Sequence, residues 1–88
     1  MSEIELFKWS LIDKSDDGTE KHIIWATYEA FALVTGKGEY PSTWNVNMTS
    51  DIVLANGTSC TLPAAKRHAE AVLISEYAQN ARESGVTL

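Results

Sequence analysis

Few side chains in this sequence are of the kinds that hold a metal or attack a substrate. Asp13, Ser15, Asp17 and Gly18 match the first half of a calcium-binding loop, where oxygen ligands alternate and Gly permits a sharp turn. The second half fails. The closing position, which requires a bidentate Glu, is Ile24, and the position that should be apolar is Glu20. The segment reads instead as an acidic hairpin turn. Cys60 with His22 or His68 supplies a nucleophile and a base, but no third group is evident to orient the base and no activating motif surrounds Cys60. The same three residues do not have metal-ligand spacing. Gly36-Lys37-Gly38 is too short for a phosphate-cradling loop and lacks the strand-to-helix context. The expectation is a protein that is not an enzyme, with no catalytic residue, no metal and no cofactor.

Composition narrows the partners. The net charge is −5. A sequence-independent grip on nucleic acid needs a basic face, so nucleic acid is disfavoured, as is an anionic membrane surface. The acid is concentrated early: Glu3, Glu5, Asp13, Asp16, Asp17 and Glu20 stand against Lys8 and Lys14. Such an end keeps the chain soluble or steers a basic partner. Cys60 is the single cysteine, which excludes an internal disulfide. The start carries no basic segment followed by an apolar run, and residues 23–34 are too short an apolar stretch to cross a bilayer. A cytoplasmic protein is expected. Two matches to the glycosylation pattern, at Asn47 and Asn56, are read as chance on that account.

With 88 residues, 44% of them hydrophobic, the chain should form a single domain of modest stability without staples. Residues 4–12 read as a strand, with Phe7, Trp9 and Leu11 on one face and Ile4, Leu6 and Ile12 on the other. Residues 15–18 supply turn chemistry. Residues 22–27 are β-branched and aromatic, and 28–35 continue either as one long bent strand, the preferred reading, or as a short helix capped by Thr27 and ended at Gly36. Residues 36–41 form a loop. Residues 42–48 form a strand with Trp44, Val46 and Met48 on one face, and 52–60 form the last strand. Gly57 inside it signals a bulge or a close backbone approach. Thr61 opens a helix over 62–83, with Pro63 in its first turn and Gly85 as its stop. Leu62, Ala65, Ala69, Val72, Leu73 and Tyr77 share a stripe at 100° per residue. Glu76 falls inside that stripe, so the helix should overrun the sheet there. Ile74 and Ala78 lie on a second, weaker strip. The fold class is α+β: an antiparallel sheet of three to four strands with one long C-terminal helix packed on one face.

The aromatics carry the functional expectation. Trp9, Trp25, Tyr28, Tyr40 and Trp44 cannot all lie under one helix, and a single helix leaves the opposite sheet face open. Large apolar residues there either pack the rim in the ordinary way or form a patch that needs a partner. The candidate partner-binding residues are Trp9, Trp25, Tyr28 and Tyr40, with Ile74, Glu76 and Ala78 on the far half of the helix. Base stacking on such a platform is a weaker version of the same idea.

Trp44, Val46, Gly57, Thr61, Ala65, Lys66 and Ala69 trace a Trp-bearing strand, a Gly-bearing last strand, a Thr-initiated step and an Ala-Lys-rich helix. In this the chain resembles small accessory proteins of phages and mobile elements, and the closing step is similar to that of partner-binding antitoxins of the HicB type. The resemblance spans residues 44–77 and carries over no functional residue. It implies a small cytosolic protein-binding accessory factor that occludes the surface of a host protein, as a homodimer. The alternative is a regulatory antitoxin-like or nucleic-acid-associated factor.

Overall fold

The computed structural model describes residues 5–85. Five strands run as a meander: β1 (Ser10–Lys14), β2 (Glu20–Thr27), β3 (Ala30–Gly36), β4 (Ser42–Met48) and β5 (Val53–Ser59). Each pairs antiparallel with its neighbour in the order β1-β2-β3-β4-β5. Helix α1 (Leu62–Glu76) packs on one face, and a short helix α2 (Ala78–Glu83) follows it. The α+β class is therefore as expected, but the sheet has five strands rather than three or four.

The extra strand comes from the stretch over 28–35. Instead of one bent strand the chain makes a tight hairpin, with Thr27 opposite Ala30 and only Tyr28-Glu29 between them. The Thr27 hydroxyl accepts a hydrogen bond from the Glu29 amide at 3.0 Å, which holds the turn. Neither turn residue has positive φ, so this is not one of the primed turns that Asn-Gly or Gly-Gly would announce. A register shift between Trp25 and Thr27 accommodates it.

The first strand also differs from expectation. Only residues 10–14 are extended against β2; the expected strand over 4–12 is not formed, and Ile4 lies outside the described residues. Leu6 makes a single parallel bridge with Trp25, and the Phe7 amide donates to the Trp25 carbonyl at 2.6 Å. Phe7 has φ 57°, in the left-handed region, which breaks the extended run. Alternation over 4–12 put apolar residues on both faces, so it did not specify one pleated strand. The β1–β2 turn is as its residues require: Gly18 has φ 94°, and the Asp17 carboxylate accepts from the Thr19 amide at 2.9 Å.

Strict alternation makes one sheet face the core. His22, Ile24 and Ala26 of β2, Ala30, Ala32 and Val34 of β3, and Ser42 and Val46 of β4 are buried. From the helix come Leu62, Ala65, Ala69 and Leu73, and Trp44, Val72 and Tyr77 pack around them. Thr61 caps α1, its hydroxyl accepting from the Ala64 amide at 3.1 Å. Two glycines make close approaches. A Cβ on Gly36 would land on the Ser42 hydroxyl, and one on Gly57 would sit 2.8 Å from Cζ2 of the Trp44 indole. Gly57 thus marks a close approach, with the indole lying across the strand.

The single helix over 62–83 is corrected to two. The helix breaks at Tyr77 (φ −127°, ψ 45°), leaving Glu76 exposed, and α2 turns back onto the sheet. Ala81 is fully buried, and the Asn80 amide group donates to the Ala26 carbonyl at 3.4 Å. The polar Glu76 thus escapes the core by a bend instead of by an overrun.

Gly36→Ala is expected to lower stability by about 1–3 kcal/mol through overpacking, Leu73→Ala by about 2–5 kcal/mol through a cavity, and Thr61→Ala by about 1 kcal/mol through loss of the cap. Urea unfolding midpoints measure all three. An unchanged midpoint for Gly36→Ala contradicts the Gly36–Ser42 packing.

Candidate binding surface

The sheet face away from α1 is read row by row from the register. One row runs Trp25, Phe31, Asn47, Val53; the next runs Ser10, Ile23, Leu33, Asn45, Asn56; the third runs Asp13, Lys21, Thr35, Thr43, Thr58. The β2 and β3 half of this face is apolar and aromatic, and the β4 and β5 half is mainly amide and hydroxyl. Trp25 and Phe31 pack with ring centroids 4.9 Å apart and planes tilted by 48°. Ile23, Trp25, Phe31 and Leu33 are all partly exposed. Asp13 and Lys21, opposite each other on β1 and β2, are the charged residues of the three rows. Such a face can bind by apolar burial at one side and by uncharged hydrogen bonding at the other.

The seven residues singled out in the sequence do not form one site. Trp9 packs against the core on the helix side, with the Lys66 ammonium 5.7 Å from its ring centroid. Trp25 lies on the opposite face. Tyr28 is exposed at the β2–β3 turn and Tyr40 in the loop after β3. The seven residues of β3 put those two loops about 20 Å apart. Lys37 reaches within 5.8 Å of the Tyr40 ring. Ile74 and Ala78 are half-buried and Glu76 is exposed, so the far half of the helix is tied down instead of presented freely. Tyr28 does find neighbours: Thr27, Glu29, Met48 and Tyr77 line a shallow depression of about 410 Å³ with it. Met48 and Tyr77 join only because the hairpin turn, the end of β4 and the helix break meet there, which no local pattern signals. Ile23 and Phe31, by contrast, were legible from the two-residue period.

Two polar contacts were not foreseen. Ser59 shares a hydrogen bond of 2.5 Å with Nδ1 of His68, whose ring stands edge-on to Trp44 at 6.3 Å. This is a nucleophile-type oxygen beside a base, but Ser59 is only 5% exposed and cannot meet a substrate. The contact ties β5 to α1. Cys60, next along, is exposed. Nε2 of buried His22 bonds the Glu20 carboxylate at 2.8 Å, with Lys14 at 3.9 Å from the same group. His22 thus points to the helix side and pairs with a neighbour on its own strand. Among the described residues no group of three or more His, Cys, Asp or Glu is placed to hold a metal ion, and no helix is long and apolar enough to cross a membrane.

The hydrogen bond from His22, helped by Lys14 and Lys66, holds the Glu20 carboxyl below its ordinary value, and the Thr19 amide does the same for Asp17. Depressed carboxyls stabilise the fold above the ordinary carboxylate range, near pH 4, and this contribution is lost as pH falls through their lowered values. Thermal melts in acid should therefore show Glu20→Gln with a shallower loss of stability below pH 4 than the parent. Identical acid limbs contradict the pairing. Beyond this geometry there is no precedent to lean on: no family model matches the chain, and neither curated proteins nor solved structures give a significant match.

Proposed function

We propose that this chain is a small cytosolic protein-binding accessory factor, of the kind phages and mobile elements encode, which works by covering a surface of a host protein. The observation that carries the reading is the uncovered apolar strip of Ile23, Trp25, Phe31 and Leu33 beside a row of amides. Aromatic anchors flanked by uncharged polar groups are what the centre of a protein interface needs, since charged residues are depleted there. The acidic turn at Asp16 and Asp17 stands at the far end of β1 and β2 and would speed the approach of a basic partner without entering the contact. The factor acts as a homodimer and needs no catalytic step.

Capture from bacterial lysate tests the reading when parent and variants are compared. A specific partner should be retained by the parent and lost, by tenfold or more in affinity, on Trp25→Lys and on Asn45→Arg. Asn45 is exposed, so that variant leaves the fold undisturbed if Trp25→Lys weakens it. Tyr40→Ala should change nothing. A partner retained equally by the parent and both face variants overturns the reading. A Trp25-dependent shift of a single-stranded oligonucleotide at low salt replaces it with the nucleic-acid alternative.

A further inference from the structure

We propose that the depression at the β2–β3 turn seats a guanidinium group, carried by an arginine side chain of the protein partner. The inference deepens the occlusion reading, on which it rests only for the source of the arginine. Three parts of the chain line the depression: Thr27, Tyr28 and Glu29 of the hairpin, Met48 at the end of β4, and Tyr77 at the helix break. Its volume is about 410 Å³, open to solvent on one side, which is room for the end of a long side chain. The lining is held before anything binds. The Glu29 amide donates to the Thr27 hydroxyl at 3.0 Å, and the Glu29 carbonyl accepts from the Thr49 amide at 2.8 Å. The Tyr77 amide donates to the Leu73 carbonyl at 2.9 Å, and Asn80 just beyond ties α2 to β2. A site fixed in this way spends little ordering on binding.

The chemistry of the lining selects a cation. The faces of two phenol rings attract positive charge, the Met48 thioether suits an apolar stem, and Glu29 is the charged residue of the lining. Glu76, next to Tyr77, and Asp51, in the turn that Thr49 opens, are exposed and add negative potential at this end of the sheet. The molecule pairs cations with rings elsewhere: Lys37 lies over Tyr40 and Lys66 over Trp9. Among the described residues no lysine or arginine does so at Tyr28 or Tyr77, and none forms an ion pair with Glu29. The openness of the site then favours arginine over lysine. An ammonium in a half-open site holds its water tightly. A guanidinium is weakly hydrated and flat, so it can lie on a ring while two of its N–H groups donate to the carboxylate. The depression also lies at the end of the apolar strip. Trp25, Phe31 and Asn47 form the last open-face row before the hairpin, and Met48 follows Asn47. A protein laid along the strip can therefore reach it with one side chain.

Nuclear magnetic resonance titration with N-acetyl-arginine amide should shift the Tyr28 and Tyr77 ring signals and the Met48 methyl signal saturably, with millimolar affinity. The neutral isostere N-acetyl-citrulline amide should bind at least fivefold more weakly, and the Nα-acetyl amides of lysine and trimethyllysine more weakly than arginine. Tyr28→Ala and Glu29→Gln, both at exposed positions, should each reduce arginine affinity at least fivefold with unchanged melting. No saturable shift, equal binding of citrulline, tighter binding of either lysine derivative, or undiminished affinity in either variant overturns the assignment. The titration needs no partner, so the two readings fail separately. Arginine binding without Trp25-dependent capture fails the occlusion reading alone, whereas such capture without arginine binding fails the arginine seat alone.

Discussion

The close seating of α1 on the sheet through small side chains is the constraint from which the rest follows. Ala65 and Ala69 on the helix meet Ala26, Ala32, Val34 and Val46 on the strands, all fully buried. Alanines bring the backbones near, so the packed layer is thin and every position in it is intolerant of bulk. Gly36 against Ser42 and Gly57 beneath Trp44 are the same demand expressed in the sheet. Because one face is committed to this layer, the two-residue period commits the alternate residues to the other face. Trp25 and Phe31 are outside because Ile24 and Ala32 are inside.

A helix of fifteen residues cannot cover five strands, so the thin core needs fillers at its margins. Phe7 and Trp9 come in from the N-terminal side, and Trp44 lies across β5. Tyr77 and α2 close the end near the β2–β3 turn. Large residues placed around a small-residue centre explain how so many aromatics occur in a chain whose fully buried positions are mostly alanine and valine. They also separate two kinds of aromatic. Trp9, Trp44 and Tyr77 pack against the core, whereas Trp25 and Phe31 pack mainly on each other and keep part of their surface in solvent.

Polar groups divide along the same lines. Ser59 and His68 bond beside the core, and among the described residues no buried side-chain polar atom lacks a partner. The open face holds amides and hydroxyls with Asp13 and Lys21 at one corner, and Asp16 and Asp17 stand in the β1–β2 turn. That arrangement gives the sheet an acidic turn between β1 and β2, an uncharged strand at β5 and an apolar strip between them. It is the physical basis for the occlusion reading.

The sequence by itself determined what local chemistry can dictate. Thr61 and Pro63 start α1, and Leu62, Ala65, Ala69 and Leu73 define its buried stripe. Gly18 with Asp17 makes the first turn, and Trp44, Val46 and Met48 share a face of β4. Each follows from a cap, a period or a backbone preference that a few neighbouring residues express. Three things were decided only by tertiary structure. Tyr28-Glu29 turns the chain without any turn-forming residue, because Thr27 supplies the hydrogen bond and the flanking strands find each other. The helix breaks at Tyr77 without Gly or Pro, because Glu76 stays in solvent while Ala81 reaches the core. The candidate site residues scatter, because the ends of one strand lie far apart however similar their side chains. Sequence period says which face a residue takes; only the packed sheet says which residues on that face meet.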